Sequence, residues 1–189
     1  DVNVASVISD GSTAYGLTKA GSATLSLNGV NTYTGATVVA GGTLVLGSSA
    51  SLASGTVSIL SGAVVDFTAV AAGWTLNAGQ ILTGSGTAQV LGALNISPGA
   101  ALVGAGTSSF ATVSTGAVTL SGEVRLRIGG AGVSDKLLIN GGLTLGASSV
   151  LTLLDGAAVG VPISAGTFEL ASYTGALTGA FATLNTVPG

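Results

Sequence analysis

The sequence predicts an all-β fold in which short strands wind into a stack of coils, a β-solenoid. Three observations favour this class: apolar and small polar residues alternate in short bursts, the bursts recur at a regular interval, and the composition is extreme. There are 32 glycines and 6% charged residues, yet the mean hydropathy is +0.77. Disorder requires low hydropathy and high net charge, so the composition argues for a folded chain.

The alternating bursts have the period of two that is typical of β-strands. Each is bounded by Gly, Asn or Ser, which tolerate tight turns. No long stretch keeps a helical period, so the sequence predicts essentially no helix. The clearest bursts lie at 23–27, 43–46, 56–59, 118–120, 124–128 and 143–145.

The bursts also recur at a nearly constant spacing. The interval from Leu25 to Leu44 is the same as the interval from Val57 to Leu76. One strand group cannot bury its own apolar face, so consecutive coils must stack. The sequence therefore predicts a single domain over 1–189, with roughly ten coils of about 19 residues. An antiparallel sandwich is the alternative, but the frequent glycine and the absence of long loops favour the solenoid.

One segment resembles a known repeat family. Residues 31–35 are Asn-Thr-Tyr-Thr-Gly, and residues 40–47 are Ala-Gly-Gly-Thr-Leu-Val-Leu-Gly. With the strand-like residues before them, they are similar to the autotransporter-associated β-strand repeat, and the clearest resemblance covers 23–47. The resemblance implies a right-handed parallel β-helix in a large protein that is secreted or displayed at a bacterial cell surface. The motif of this family is structural and carries no catalytic residues.

Residues that commonly carry chemistry are scarce. The chain has no Cys, His or Met, so neither a disulfide nor a Cys/His metal site is possible. Asp135 and Asp155 are separated by close to one predicted coil and could lie on neighbouring coils; glycoside hydrolysis needs two carboxylates about 5–9.5 Å apart. Both lie in turn contexts, where Asp is expected to bond to local backbone. We therefore expect no catalytic residue, cofactor or metal, and a polysaccharide-processing enzyme is the remote alternative.

One predicted strand carries an unusual charged face. Glu123, Arg125 and Arg127 alternate with apolar residues, so the three charged side chains are expected on one side of the strand. This face either blocks unwanted sheet pairing or is a docking patch for an anionic polymer or a neighbouring subunit. The net charge of −3, with four cations in all, predicts no nucleic-acid surface. Interrupted apolar runs predict no membrane-spanning helix.

Both ends of the chain resemble strands that are able to pair with further β-structure. The apolar residues concerned are Val2, Val4, Val7 and Ile8 at one end and Phe181 and Leu184 at the other. Solenoid ends expose unpaired backbone groups unless they are capped, and few charges oppose association. The expected function is a non-enzymatic extracellular shaft that joins copies of itself, end to end or side by side, into a surface fibre or filament. The alternative is an adhesin-type passenger fragment that binds glycans or cells.

Overall fold

Strands in this protein pair in parallel with strands one coil away. The structure, a computed structural model, describes residues 1–105, 110–156 and 167–186. Every strand pair among these residues is parallel. The predicted all-β solenoid is therefore confirmed, and the antiparallel sandwich is excluded.

Each full coil contributes one strand to each of three sides. The first side is an eight-stranded sheet of β1 (Val2–Val4), β3 (Thr24–Leu27), β6 (Thr43–Leu46), β9 (Val64–Asp66), β12 (Thr87–Leu91), β15 (Thr112–Thr115), β18 (Lys136–Ile139) and β21 (Ala171–Tyr173). The second side holds a two-stranded sheet of β4 (Val30–Asn31) and β7 (Ser51–Leu52), then a five-stranded sheet of β10 (Trp74–Leu76), β13 (Leu94–Ile96), β16 (Val118–Leu120), β19 (Leu143–Leu145) and β22 (Leu177–Thr178). The third side is an eight-stranded sheet of β2 (Leu17–Lys19), β5 (Thr37–Val39), β8 (Thr56–Ile59), β11 (Ile81–Gly84), β14 (Ala101–Gly104), β17 (Glu123–Ile128), β20 (Val150–Asp155) and β23 (Thr183–Thr186).

The coils are fewer and longer than the spacing of the bursts predicts. Leu25 pairs with Leu44 at the predicted interval, but Ala88 pairs with Val113 across a longer coil, and the coil that joins Leu137 to its partner Ala171 is longer still. The expectation of roughly ten coils of about 19 residues is therefore wrong, because the long sheets have eight strands each. Stacking fixes the strands, whereas turns at the surface accept extra residues at little cost.

The core is a column of aliphatic side chains that point into the coils. Leu44, Val65 and Val90 follow one another in register on the first side and are fully buried or nearly so. Burying each such side chain stabilises the fold by about 1.5–3 kcal/mol. Phe67 and Trp74 join this core, with ring centroids 5.3 Å apart in an edge-to-face arrangement.

Helix is nearly absent from the described residues, as the sequence predicts: a 3₁₀ turn at Gly130–Gly132 follows β17. None of the described segments forms a helix with the length and hydropathy needed to cross a bilayer.

The two ends form shorter strands than the sequence suggests. Val2 and Val4 lie in β1, but Val7 and Ile8 lie outside it, because the amide of Ile8 bonds to the side chain of Asn31 instead of to a sheet partner. Leu184 lies in β23, whereas Phe181 precedes that strand. The strands β1 and β23 are each the last strand at one edge of an eight-stranded sheet.

Candidate interaction surface

Glu123 and Arg125 form an ion pair on the outer face of β17. The Nη2 of Arg125 donates to Oε2 of Glu123 at 2.7 Å, and the hydroxyl of Thr152, on the next coil, donates to Oε1 at 2.5 Å. The hydrogen bond from Arg125 lowers the pKa of the Glu123 carboxyl against the opposing effect of burial, and Thr152 adds to the lowering. The same pairing raises the pKa of Arg125. The side chain of Arg125 is 41% exposed, so this pair faces solvent.

Arg127 does not lie on that exposed surface, although it is two residues after Arg125 and points to the same side of the strand. Its side chain is 7% exposed, and its guanidinium binds Asp135 through two bonds, Nη2 to Oδ1 at 2.7 Å and Nε to Oδ2 at 2.9 Å. After β17 the chain turns at Gly130–Gly132 and bridges back through Ser134. This return carries Asp135 onto Arg127, so the expected row of three exposed charges is corrected to a pair.

The carboxylate of Asp135 organises the backbone around it. Besides the guanidinium, it accepts the amide of Ala111 at 2.6 Å and the amide of Arg127 at 2.8 Å. The ring of Phe110 lies 5.7 Å from the guanidinium carbon. Arg127 lies across the turn that precedes Asp135, whereas Ala111 and Phe110 lie on the preceding coil. Bonding across the turn is therefore combined with a bond to a neighbouring coil in one buried cluster, which we call the Arg127–Asp135 clasp.

The clasp leaves little basis for the catalytic pairing of Asp135 with Asp155. Both oxygens of Asp135 are occupied, and its side chain is 1% exposed. Asp155 ends β20, opposite Ile128 in the register, and it has interactions of its own. The described residues also contain no group of three acidic side chains that could hold a metal ion.

The segment that resembles a repeat family is built into the stack through Asn31. This side chain is 1% exposed and bonds to three backbone groups on three successive coils. Its Oδ1 accepts the amide of Ile8 at 3.1 Å, and its Nδ2 donates to the carbonyls of Gly29 at 2.8 Å and Ser51 at 3.2 Å. Asn31 is therefore a structural bridge.

Tyr33 and Gly35 have structural roles too. Burial raises the pKa of the Tyr33 phenol, whose hydroxyl lies 2.7 Å from the hydroxyl of Thr37. A Cβ atom at Gly35 would overlap the backbone of Tyr15, so only glycine permits the close approach of these two coils. The motif is thus explained by coil stacking and not by a binding site.

Lys19 is a buried cation that the sequence did not single out. It is 6% exposed, and its ammonium donates to the carbonyls of Ala20 at 3.0 Å, Gly21 at 2.9 Å and Gly41 at 2.9 Å. Gly41 belongs to the next coil, so Lys19 also links coils. In the sequence, Lys19 is the last residue of β2 and is followed by two small residues, and this is the signal that could have indicated its buried position.

Comparisons with known proteins agree with the resemblance. Residues 17–46 match the passenger-associated-transport-repeat family, a span that begins before residue 23 and includes Lys19. The chain is 33% identical over 171 residues to the adhesin BmaC autotransporter of Brucella suis biovar 1 (strain 1330). That alignment covers 85% of this chain and 5% of the adhesin, so the chain spans a small part of its relative. No solved structure matches the chain significantly.

Proposed function

We propose that this chain, which belongs to the autotransporter passenger-repeat family through residues 17–46, is a segment of an adhesin-type passenger displayed at a bacterial cell surface. The observation that carries the proposal is the continuity of the solenoid. The repeat is one part of a single parallel stack, and the relationship to an adhesin extends over 85% of the chain.

The positions and bonding partners of the charged residues support a non-enzymatic role. Asp135, Arg127 and Lys19 are buried and bonded within the stack, where they hold coils together. Glu123 and Arg125 neutralise each other at the surface. We therefore propose that the solenoid acts by presenting an adhesive surface and not by catalysis.

Adhesion is tested with the purified chain, fluorescently labelled and added to cultured mammalian cells. We expect saturable binding that an excess of unlabelled chain competes away, because specific sites are finite in number. The control is the same chain after thermal unfolding, which retains the composition but loses the stacked surface. Binding that does not saturate, or that is equal for folded and unfolded chain, would contradict the proposal.

Self-association of the purified chain is a second proposal, supported by the edge strands of its two eight-stranded sheets. Val2 in β1 and Leu184 in β23 are each 61% exposed, and each lies in the last strand of its sheet. Unpaired strand edges are templates for further pairing, which charged side chains suppress.

The test is sedimentation velocity over a range of concentrations, with electron microscopy of the same samples. We expect the sedimentation coefficient to rise with concentration, and the double variant Val2→Lys/Leu184→Lys to reduce this rise because it places charges on both edges. A single monomeric boundary at all concentrations, without filaments, would rule self-association out.

A further inference from the structure

One corner of the solenoid has an uneven turn length. The corner joins the second side to the third, and in three coils it is formed by four residues: 77–80, 97–100 and 146–149. In the coil between the last two, Leu120 and Glu123 keep the register of their neighbours, but only Ser121 and Gly122 join them. This coil therefore lacks two residues that the coils on both sides possess.

The short turn is drawn inward against the preceding coil. The amides of Ser121 and Gly122 both donate to the carbonyl of Ile96, at 2.8 and 2.9 Å. A Cβ atom at Gly122 would overlap the carbonyl oxygens of Ser97 and Ala100, so glycine is required there. The missing residues thus leave a gap in the corner.

This gap is an open groove of about 530 Å³, which we call the notch. Four successive turns contribute to its lining, those that carry Gly79, Pro98, Gly122 and Ser148. The turns of Pro98 and Ser148 flank the short turn and lie two coil spacings apart, or about 9–10 Å. Gly122 and the Glu123–Arg125 ion pair belong to the short coil between these two turns, and all three residues line the notch. A groove of this size is within the range of small-ligand sites, about 300–1,000 Å³.

The lining of the notch favours a neutral ligand that carries several hydroxyl groups. One carboxylate and one guanidinium line it, and they balance each other. A charged ligand would compete for one member and leave the other unpaired. A hydroxyl group both donates and accepts, so it can bond to Glu123 and Arg125 without separating them; Arg125 uses one of its N–H donors for Glu123. Such charge-assisted bonds are the stronger kind.

The remaining lining suits the ring of a sugar. Ala101 and Val150 lie beside the ion pair in the register of the third side, and Val150, the more exposed of the two, offers an apolar contact to the C–H face of a pyranose. The hydroxyl of Ser148 donates to the carbonyl of Ser121 and keeps its own acceptor lone pairs. We propose that the notch binds an uncharged saccharide, one or two rings in length. This inference rests on the proposed adhesive function for its biological setting.

The test is a titration of the isotopically labelled chain, followed by the amide resonances in NMR, with lactose and cellobiose as neutral probes and 3′-sialyllactose as the anionic one. We expect a neutral disaccharide to shift the amides of Gly99, Gly122 and Ser148 and to saturate. Arg125→Ala should weaken binding about tenfold, the usual loss for a hydrogen bond to a charged group. Ser148→Trp should abolish binding, because the larger exposed side chain fills the notch.

Lys136→Ala is the matched control. It removes a second exposed ion pair, Lys136 with Glu169 at 3.3 Å, which lies away from the notch, and should leave the titration unchanged. The proposal is overturned if no neutral probe gives saturating shifts, if the shifts lie elsewhere, if only 3′-sialyllactose binds, or if both alanine variants weaken binding equally. The resonances report on the notch alone, so a negative result here leaves the cell-binding test of adhesion standing.

Discussion

Asp135→Ala is expected to lower the free energy of unfolding by about 3–5 kcal/mol, the usual cost of removing one partner of a buried ion pair. The change leaves the guanidinium of Arg127 buried without its carboxylate and deprives the amides of Ala111 and Arg127 of their acceptor. Both side chains are almost fully buried, so water cannot replace these bonds without opening the structure.

Urea unfolding followed by the fluorescence of Trp74 measures this loss, because the single tryptophan of the chain is buried beside Phe67. Arg125→Ala is the matched control, since it breaks an ion pair of the same 2.7 Å length at the surface. Exposed pairs contribute about 0–1 kcal/mol, so its midpoint should move little. Equal effects for the two variants would show that the Arg127–Asp135 clasp does not stabilise the stack.

Asn31→Ala is expected to cost about 3 kcal/mol, because three backbone groups lose their partner and each buried unsatisfied group costs about 1–3 kcal/mol. These groups are the amide of Ile8 and the carbonyls of Gly29 and Ser51, which lie on successive coils. Asn31→Asp should be similarly destabilising, since a carboxylate keeps the acceptor but loses the donor that both carbonyls require.

The same urea experiment measures this effect, and Asn28→Ala supplies the control. Asn28 belongs to the same repeat but is exposed, and its Nδ2 bonds to the side chain of Asn3 at 2.7 Å. Its loss should change stability by less than about 0.5 kcal/mol, as is usual for surface positions. A small effect at both asparagines would mean that Asn31 does not bridge the coils as described.

The period-two pattern was sufficient to predict the strands and their stacking. Leu25 and Leu44 face inward on adjacent coils, as their spacing indicates. The coil length was predictable only where the turns are short, because alternation reports on strands and carries no information about how many residues a turn holds. The pairing of Leu137 with Ala171 shows how far a later coil departs in length from the first ones.

The same limit of the alternating sequence pattern applies to the charged residues of the candidate interaction surface. Alternation correctly places Arg125 on the outer face, but it cannot distinguish Arg125 from Arg127, which points to the same side. The difference arises from the return of the chain through Ser134, which covers Arg127 and leaves Arg125 open. The notch was not predictable either, since a turn shortened by two residues is visible only once the register of the adjacent coils is known.

The variable length of the corner turns has a consequence for how proteins of this kind diversify. The turn formed by Ser121 and Gly122 is two residues shorter than the turns on either side of it. Leu120 and Glu123 nevertheless stay aligned with the coils on both sides. Local insertions and deletions can therefore reshape the outer contour while the hydrogen-bonded ladders stay intact, and stability and recognition are altered by separate sets of mutations. Selection acting on what the surface recognises thus need not weaken the rod that carries it.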